Sequence, residues 1–141
     1  MVPKFRAYDT KNKVMVTNFH RSHMKIETGK VLYQLTTTNE NEIKAIASYN
    51  TFDDFTYRYS HDLKLMQSTG LKDKNGVEVF QGDIVVIKYS EHGYHYYEKI
   101  VFENGTFTAG DEDWLYNIKD YCVVSGNIYE NPELLEPANE I

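Results

Sequence analysis

The run from Leu65 to Ile87, LMQSTGLKDKNGVEVFQGDIVVI, constrains the fold of this chain more than any other stretch, because short extended segments alternate in it with turn formers. Leu65 to Thr69 extends, Asp73-Lys74-Asn75-Gly76 turns, Val77 and Val79 alternate, and Gln81-Gly82-Asp83 turns again. The Asn75-Gly76 pair suits positive backbone angles, which residues with a Cβ resist. Ile84 to Tyr89 then reads as an interior strand, apolar on both faces. Beyond Glu91-His92-Gly93 comes a long strand, Tyr94 to Phe102, then the Asn104-Gly105 turn and a return over Thr106 to Thr108, a three-stranded meander with its turns written in the sequence. Trp114, Tyr116 and Ile118 alternate as a short strand or an irregular cover, Tyr121 to Ile128 reads as a closing strand, and Pro132 sits where proline opens a helical turn. Five or six short strands at this pitch predict a small SH3-like antiparallel barrel over residues 63–141.

Residues 1–62 read as an N-terminal α/β extension of variable character. Lys4 to Tyr8 and Val14 to Phe19 flank the polar turn Asp9 to Lys13 as a hairpin. Residues 20–30 read as loop, and Val31 to Thr37 as extended. Asn39 and Glu42 have the spacing of a capping box, and Ile43, Ile46 and Ala47 share one helical face, which predicts a short helix over 40–49. Phe55, Tyr57 and Tyr59 alternate with Thr56 and Arg58 as in a half-buried strand. The expected class is mainly β with minor α.

Charge narrows the partners. Residues 1–52 hold eight Lys or Arg against four Asp or Glu, a net +4, whereas residues 53–141 hold seven against seventeen, a net −10. An acidic body repels a phosphate backbone, so general nucleic-acid coating is disfavoured, while the basic N-terminal third leaves a local exception open. The one cysteine, Cys122, excludes an intramolecular disulfide, and no signal peptide is recognisable at the start MVPKFRAYD. The aliphatic run Ile84 to Ile87 is far shorter than the roughly 20 residues of a membrane span. A soluble protein in a reducing cytoplasm is expected, with no membrane association.

No constellation points to chemistry. His20 with His23 and His92 with His95 have paired spacing, but zinc sites of this kind add cysteines or carboxylates on a rigid frame, so no metal is expected. Asp111, Glu112 and Asp113 are adjacent on one loop and do not by themselves face each other across a sugar, so they read as a solvated turn. Cys122 lies in a predicted strand and reads as an inert thiol. Gly70, Gly76 and Gly82 recur at six-residue intervals that serve turns. Gly82-Asp83-Ile84-Val85 resembles the opening of KOW-type modules that touch RNA, yet basic residues are sparse around it, and Gly82 and Asp83 are sufficiently explained as turn formers. Neither a catalytic residue nor a cofactor is expected. The strongest surface candidate is Tyr94-His95-Tyr96-Tyr97, where Tyr94 and Tyr96 share one face of a strand and His95 and Tyr97 the other.

Thr69 to Gly76, Gly82 to Val85 and Gly126 to Leu135, together with the opening Lys4-Phe5-Arg6-Ala7-Tyr8-Asp9, are similar to the recurring motifs of the YopX family of phage and prophage proteins. In that family a Trp commonly stands where Tyr8 does. The resemblance implies a phage or prophage protein of the bacterial cytoplasm, a β-rich fold with a variable N-terminal part, and no catalytic residues. The expected role is therefore a non-catalytic accessory protein acting by contact with itself or with a host or phage protein, through Tyr94, His95, Tyr96, Tyr97 and Trp114. The alternative is nucleic-acid binding through the basic N-terminal third, with Arg6 and Arg21, and the barrel's aromatics.

Overall fold

The structure, a computed structural model, describes residues 4–19, 22–25, 29–50, 56–111 and 113–136. The chain divides into two compact units between Met66 and Gln67. Both are mainly β, and the strand pairings whose registers are given below are antiparallel.

The N-terminal unit begins with the predicted hairpin, β1 (Phe5–Asp9) and β2 (Val14–Val16), in which Ala7 lies opposite Val16. Beside β1 in the same sheet runs β7 (Leu63–Lys72), whose first residues belong to this unit. A second sheet is a simple meander of β3 (Ser22–Lys25), β4 (Gly29–Thr37), β5 (Ile43–Asn50) and β6 (Thr56–Tyr59). Period-two alternation along β4 and β5 sends Val31, Tyr33, Ala45 and Ala47 into a core shared with Ala7, Val16 and Leu63. Gln34, Thr36 and Lys44 are exposed.

Two expectations fail here. The segment read as loop contains β3, paired with β4 through Ser22 opposite Leu32. The segment read as a helix over 40–49 is strand β5, paired with β4 from Thr37 opposite Ile43 to Val31 opposite Tyr49. An isolated ten-residue helix is marginal, whereas pairing on a long neighbour satisfies the backbone at once. The supposed capping box is a hairpin turn: Thr38 Oγ1 accepts the N–H groups of Glu40 and Glu42, and Asn41 takes φ 62°. Ile43, which the helix reading puts on one face with Ile46 and Ala47, is exposed, while Ala47 is fully buried.

A buried carboxylate locks this unit. Asp9 ends β1 with no exposure, and its Oδ1 accepts the N–H groups of Lys11 (2.9 Å) and Asn12 (3.1 Å). Its Oδ2 accepts the Tyr33 hydroxyl (2.7 Å), the Tyr59 hydroxyl and Asn12 Nδ2 (2.8 Å), so one side chain ties the β1–β2 turn to strands β4 and β6. Burial acts to raise the Asp9 pKa, but the bonds from Tyr59, Tyr33 and Asn12 outweigh it and hold the carboxyl below its ordinary value. Burial and the Asp9 bond push the Tyr33 phenol up to about 12.

The C-terminal unit pairs the second half of β7 with β8 (Glu78–Phe80), Ser68 lying opposite Phe80. Its main sheet has the order β12-β11-β10-β9-β13, with β9 (Asp83–Lys88), β10 (His95–Glu103), β11 (Thr106–Ala109), β12 (Asp113–Trp114) and β13 (Cys122–Asn127). The predicted meander and the interior position of β9 are both observed. Val79, Val85, Ile87, Ile100, Ala109 and Cys122 form one core with Leu115 and Ile118 from helix α1 (Leu115–Ile118). Each fully buried aliphatic side chain there contributes about 1.5–3 kcal/mol.

Helix α1 corrects the reading of 114–118. The inward residues are Leu115 and Ile118, at helical spacing, and Trp114 and Tyr116 are 57% and 68% exposed. A 3-10 turn over Lys119–Tyr121 leads into β13, and the Pro132–Leu135 segment forms a 3-10 turn with proline at its start, as read. Val77, which alternation pairs with Val79, is 49% exposed because it lies between the turn and β8, whereas Val79 is fully buried.

The family-type motifs are turn locks. Asp73 Oδ1 accepts Asn75 N–H and Val77 N–H, both at 2.9 Å, and its Oδ2 accepts Val124 N–H of β13 at 2.8 Å. Gly76 then turns at φ 82°, and Asp83 Oδ2 accepts Phe80 N–H at 2.8 Å. Asn127 Oδ1 accepts the N–H groups of Tyr129 and Glu130, while its Nδ2 donates to Glu130 Oε1.

Replacing Asp73 by Ala orphans three backbone donors and should lower unfolding stability by about 3 kcal/mol in urea melts, with Asp73→Asn losing about half as much. Asp9 and Tyr33 set opposite pH edges. The Asp9 contribution is complete above the unfolded carboxyl pKa of about 3.9 and is lost as pH falls through the depressed folded value. The Tyr33 contribution is complete below the unfolded phenol pKa of about 10 and is lost as pH rises toward about 12. Urea midpoints followed against pH should show Asp9→Asn with a flatter acid limb than the native chain.

Candidate functional site

Strand β10 builds the site. It carries Tyr96, Glu98 and Ile100 on one face, and Ile100 enters the core, so that face is anchored at one end and opens toward Tyr94 at the other. Tyr94, just before the strand, is 83% exposed, and its ring stacks on that of Tyr96 with centroids 6.0 Å apart and planes 23° from parallel. Tyr96 is half-buried against the core, and its hydroxyl donates to Asp113 Oδ2 at 3.3 Å. Burial, then the neighbouring Tyr89 and Asp113, raises the Tyr96 phenol well above its ordinary value, so it stays a neutral donor.

These groups line an open groove of about 800 Å³. Its walls are Tyr94, Tyr96, Glu98 and Lys99 of the β10 segment, and Ala109 to Asp111 with Asp113 from the β11–β12 connection; Leu135 also lines it. Gly110, at φ 65° and bonded from its N–H to Lys99 O, lies directly against the Glu98 carboxylate. A side chain at position 110 would collide with that carboxylate. The arrangement offers aromatic faces and carboxylate acceptors in one concavity.

The sequence-predicted residues do not form one site. Tyr94 and Tyr96 line the groove, whereas His95 and Tyr97 project from the opposite face of β10, their rings 6.4 Å apart edge to face. Trp114 is exposed on β12 beside the groove's Asp113. Arg6 belongs to the N-terminal unit, half-buried on β1 with Nη2 3.6 Å from Met66 Sδ. Arg21, like His20 and Glu112, lies outside the described residues. The groove adds Glu98, Gly110, Asp111, Asp113 and Leu135. Glu98 was legible, since it follows Tyr96 by two residues on one strand. Asp113 was read as part of a solvated run, but the β11–β12 hairpin turns it toward Tyr96.

Among the described residues no three His, Cys, Asp or Glu side chains are grouped to hold a metal ion, and no helix is long and apolar enough to cross a membrane. Cys122 is fully buried, its Sγ 3.6 Å from Lys119 O, and burial followed by the charges of Asp73 and Asp120 pushes the thiol up to about 11. It should resist a thiol reagent at about pH 8 in the native protein and react in full once unfolded, as monitored by absorbance.

The chain is similar over 96% of its length, and 99% of the other, to the crystal structure of protein EF1440 from Enterococcus faecalis, with 34% identity and a TM-score of 0.59. It shares its fold with the crystal structure of protein yopX from Bacillus subtilis, at 17% identity and a TM-score of 0.55, covering 94% of this chain and 97% of that one. No curated protein matches it. The YopX protein family matches residues 4–136, in agreement with the motifs read at both ends, and this chain belongs to that family.

Proposed function

We propose that this protein is a non-catalytic accessory protein of a bacteriophage or prophage, working in the bacterial cytoplasm through protein–protein contacts, and that the aromatic surface at the start of β10 is where it makes them. The phage setting comes from the motif resemblance. The contact role is supported by one observation above the others: Tyr94, stacked on a half-buried Tyr96, leaves most of its ring to solvent at the mouth of a groove.

A tyrosine held by a neighbour offers large contact area at low entropy cost, which is what contact anchors require. Trp114 and Tyr116 extend the exposed aromatic area on the same unit. The charge of residues 67–141, five Lys or Arg against fourteen Asp or Glu, opposes a phosphate backbone on this surface. A nucleic-acid role would have to use the N-terminal unit, where Lys44 and Arg58 are exposed.

Tyr94→Ala and Trp114→Ala should together reduce partner capture from phage-infected cells, or self-association by sedimentation, by about tenfold while the circular dichroism melt is unchanged. Undiminished capture and unchanged mass would refute the site. A gel shift on single-stranded DNA that falls steeply with salt would instead favour nucleic-acid binding.

A further inference from the structure

We infer that the groove receives a basic side chain, an arginine or lysine presented by an extended segment of a partner protein. The inference rests on the protein-contact reading above and adds the chemistry of the occupant. Aromatic faces and carboxylates each stabilise a cation at a protein surface, and the groove holds both. The stacked rings of Tyr94 and Tyr96 form one wall. A guanidinium laid against a tyrosine face is attracted by the ring quadrupole and keeps its edge donors available.

The acceptors stand along the same groove. Glu98 follows Tyr96 on its strand face and lies against Gly110, where the absent Cβ makes room for its carboxylate. Asp113 is oriented by the Tyr96 hydroxyl through one oxygen and retains further acceptor capacity. Asp111 is exposed on the connecting loop. Among the described residues that line the groove, three are carboxylates and one is a cation, Lys99. Leu135 offers an apolar surface for the methylene stem of a long basic side chain. The net charge of −9 over residues 67–141 adds long-range attraction for a basic segment and repels an acidic one.

The test is a titration of the full chain with a blocked octapeptide carrying two arginines in a Gly-Ser background, and with its citrulline counterpart, which keeps the shape and removes the charge. Amide shifts from NMR locate binding, and calorimetry gives its strength. The arginine peptide should bind about tenfold more tightly than the citrulline peptide. Its shifts should centre on Tyr94, Tyr96, Glu98 and Gly110, and its affinity should fall between about 50 and about 300 mM salt. Tyr94→Ala and Glu98→Gln should each weaken it about fivefold, with the core amide of Ile100 unmoved to report an intact fold.

Equal binding of the two peptides, shifts centred elsewhere, or no binding at millimolar peptide would overturn the inference. If the peptide fails while Tyr94→Ala with Trp114→Ala still abolishes capture, the contact surface stands and its occupant is not basic. Salt-insensitive self-association lost in Tyr94→Ala would assign the groove to a second copy of the chain and overturn the basic-partner assignment. Failure of both the titration and the capture experiment removes the contact reading as well.

Discussion

The carboxylate of Asp73 is the interaction on which the C-terminal unit depends. One oxygen closes the turn between β7 and β8 by accepting two backbone N–H groups, and the other accepts Val124 N–H from β13. Beside it, Lys74 N–H bonds Cys122 O. Strand β13 is the last strand of its sheet, and its register with β9 shifts between Val124 and Gly126. A strand at an edge, interrupted by a bulge, has backbone donors that the ladder does not use, and a buried donor without a partner is costly. Asp73 supplies the acceptor, and so holds in place the strand that covers β9 and carries Cys122 and Val124 to the core.

Asp9 solves the same problem in the N-terminal unit by different means. It also caps a turn with two backbone bonds, but its second oxygen gathers two tyrosine hydroxyls and an amide. Tyrosine is unusually common in this chain, at 12 residues, and here the hydroxyl at the end of a core aromatic is what lets a charge be buried. Tyr96 bonded to Asp113 repeats the pairing at the groove, with the difference that the Asp there is only half-buried and open to the concavity. The same residue types thus serve as a lock in one unit and as a candidate recognition surface in the other, and exposure separates the two roles.

Turn chemistry was the most legible part of this protein. Asp73 to Gly76, Gln81 to Asp83, Asn104-Gly105 and Asn131-Pro132 all lie in or beside turns of the structure, because a positive backbone angle or a short side-chain acceptor is a local requirement that few residues meet. The groove was half legible. Alternation along the predicted strand Tyr94 to Phe102 puts Tyr94 and Tyr96 on one face, but the partner carboxylate Asp113 is 17 positions from Tyr96 and joins it only when the hairpins of β10, β11 and β12 are formed.

By itself, then, the sequence determined the turns, the mainly β character, the hairpin at the start, the meander of β9 to β11 and the family to which the chain belongs. Tertiary structure decided that residues 43–50 extend instead of coiling, that residues 22–25 pair at all, that Leu115 and Ile118 rather than Trp114 and Tyr116 face the core, and that a tyrosine pair shares one groove with three carboxylates. The physical reason is the range of each interaction. A turn is settled within four residues, whereas a strand's pairing, a helix's buried face and a groove's lining are settled by neighbours that the chain brings together only on folding.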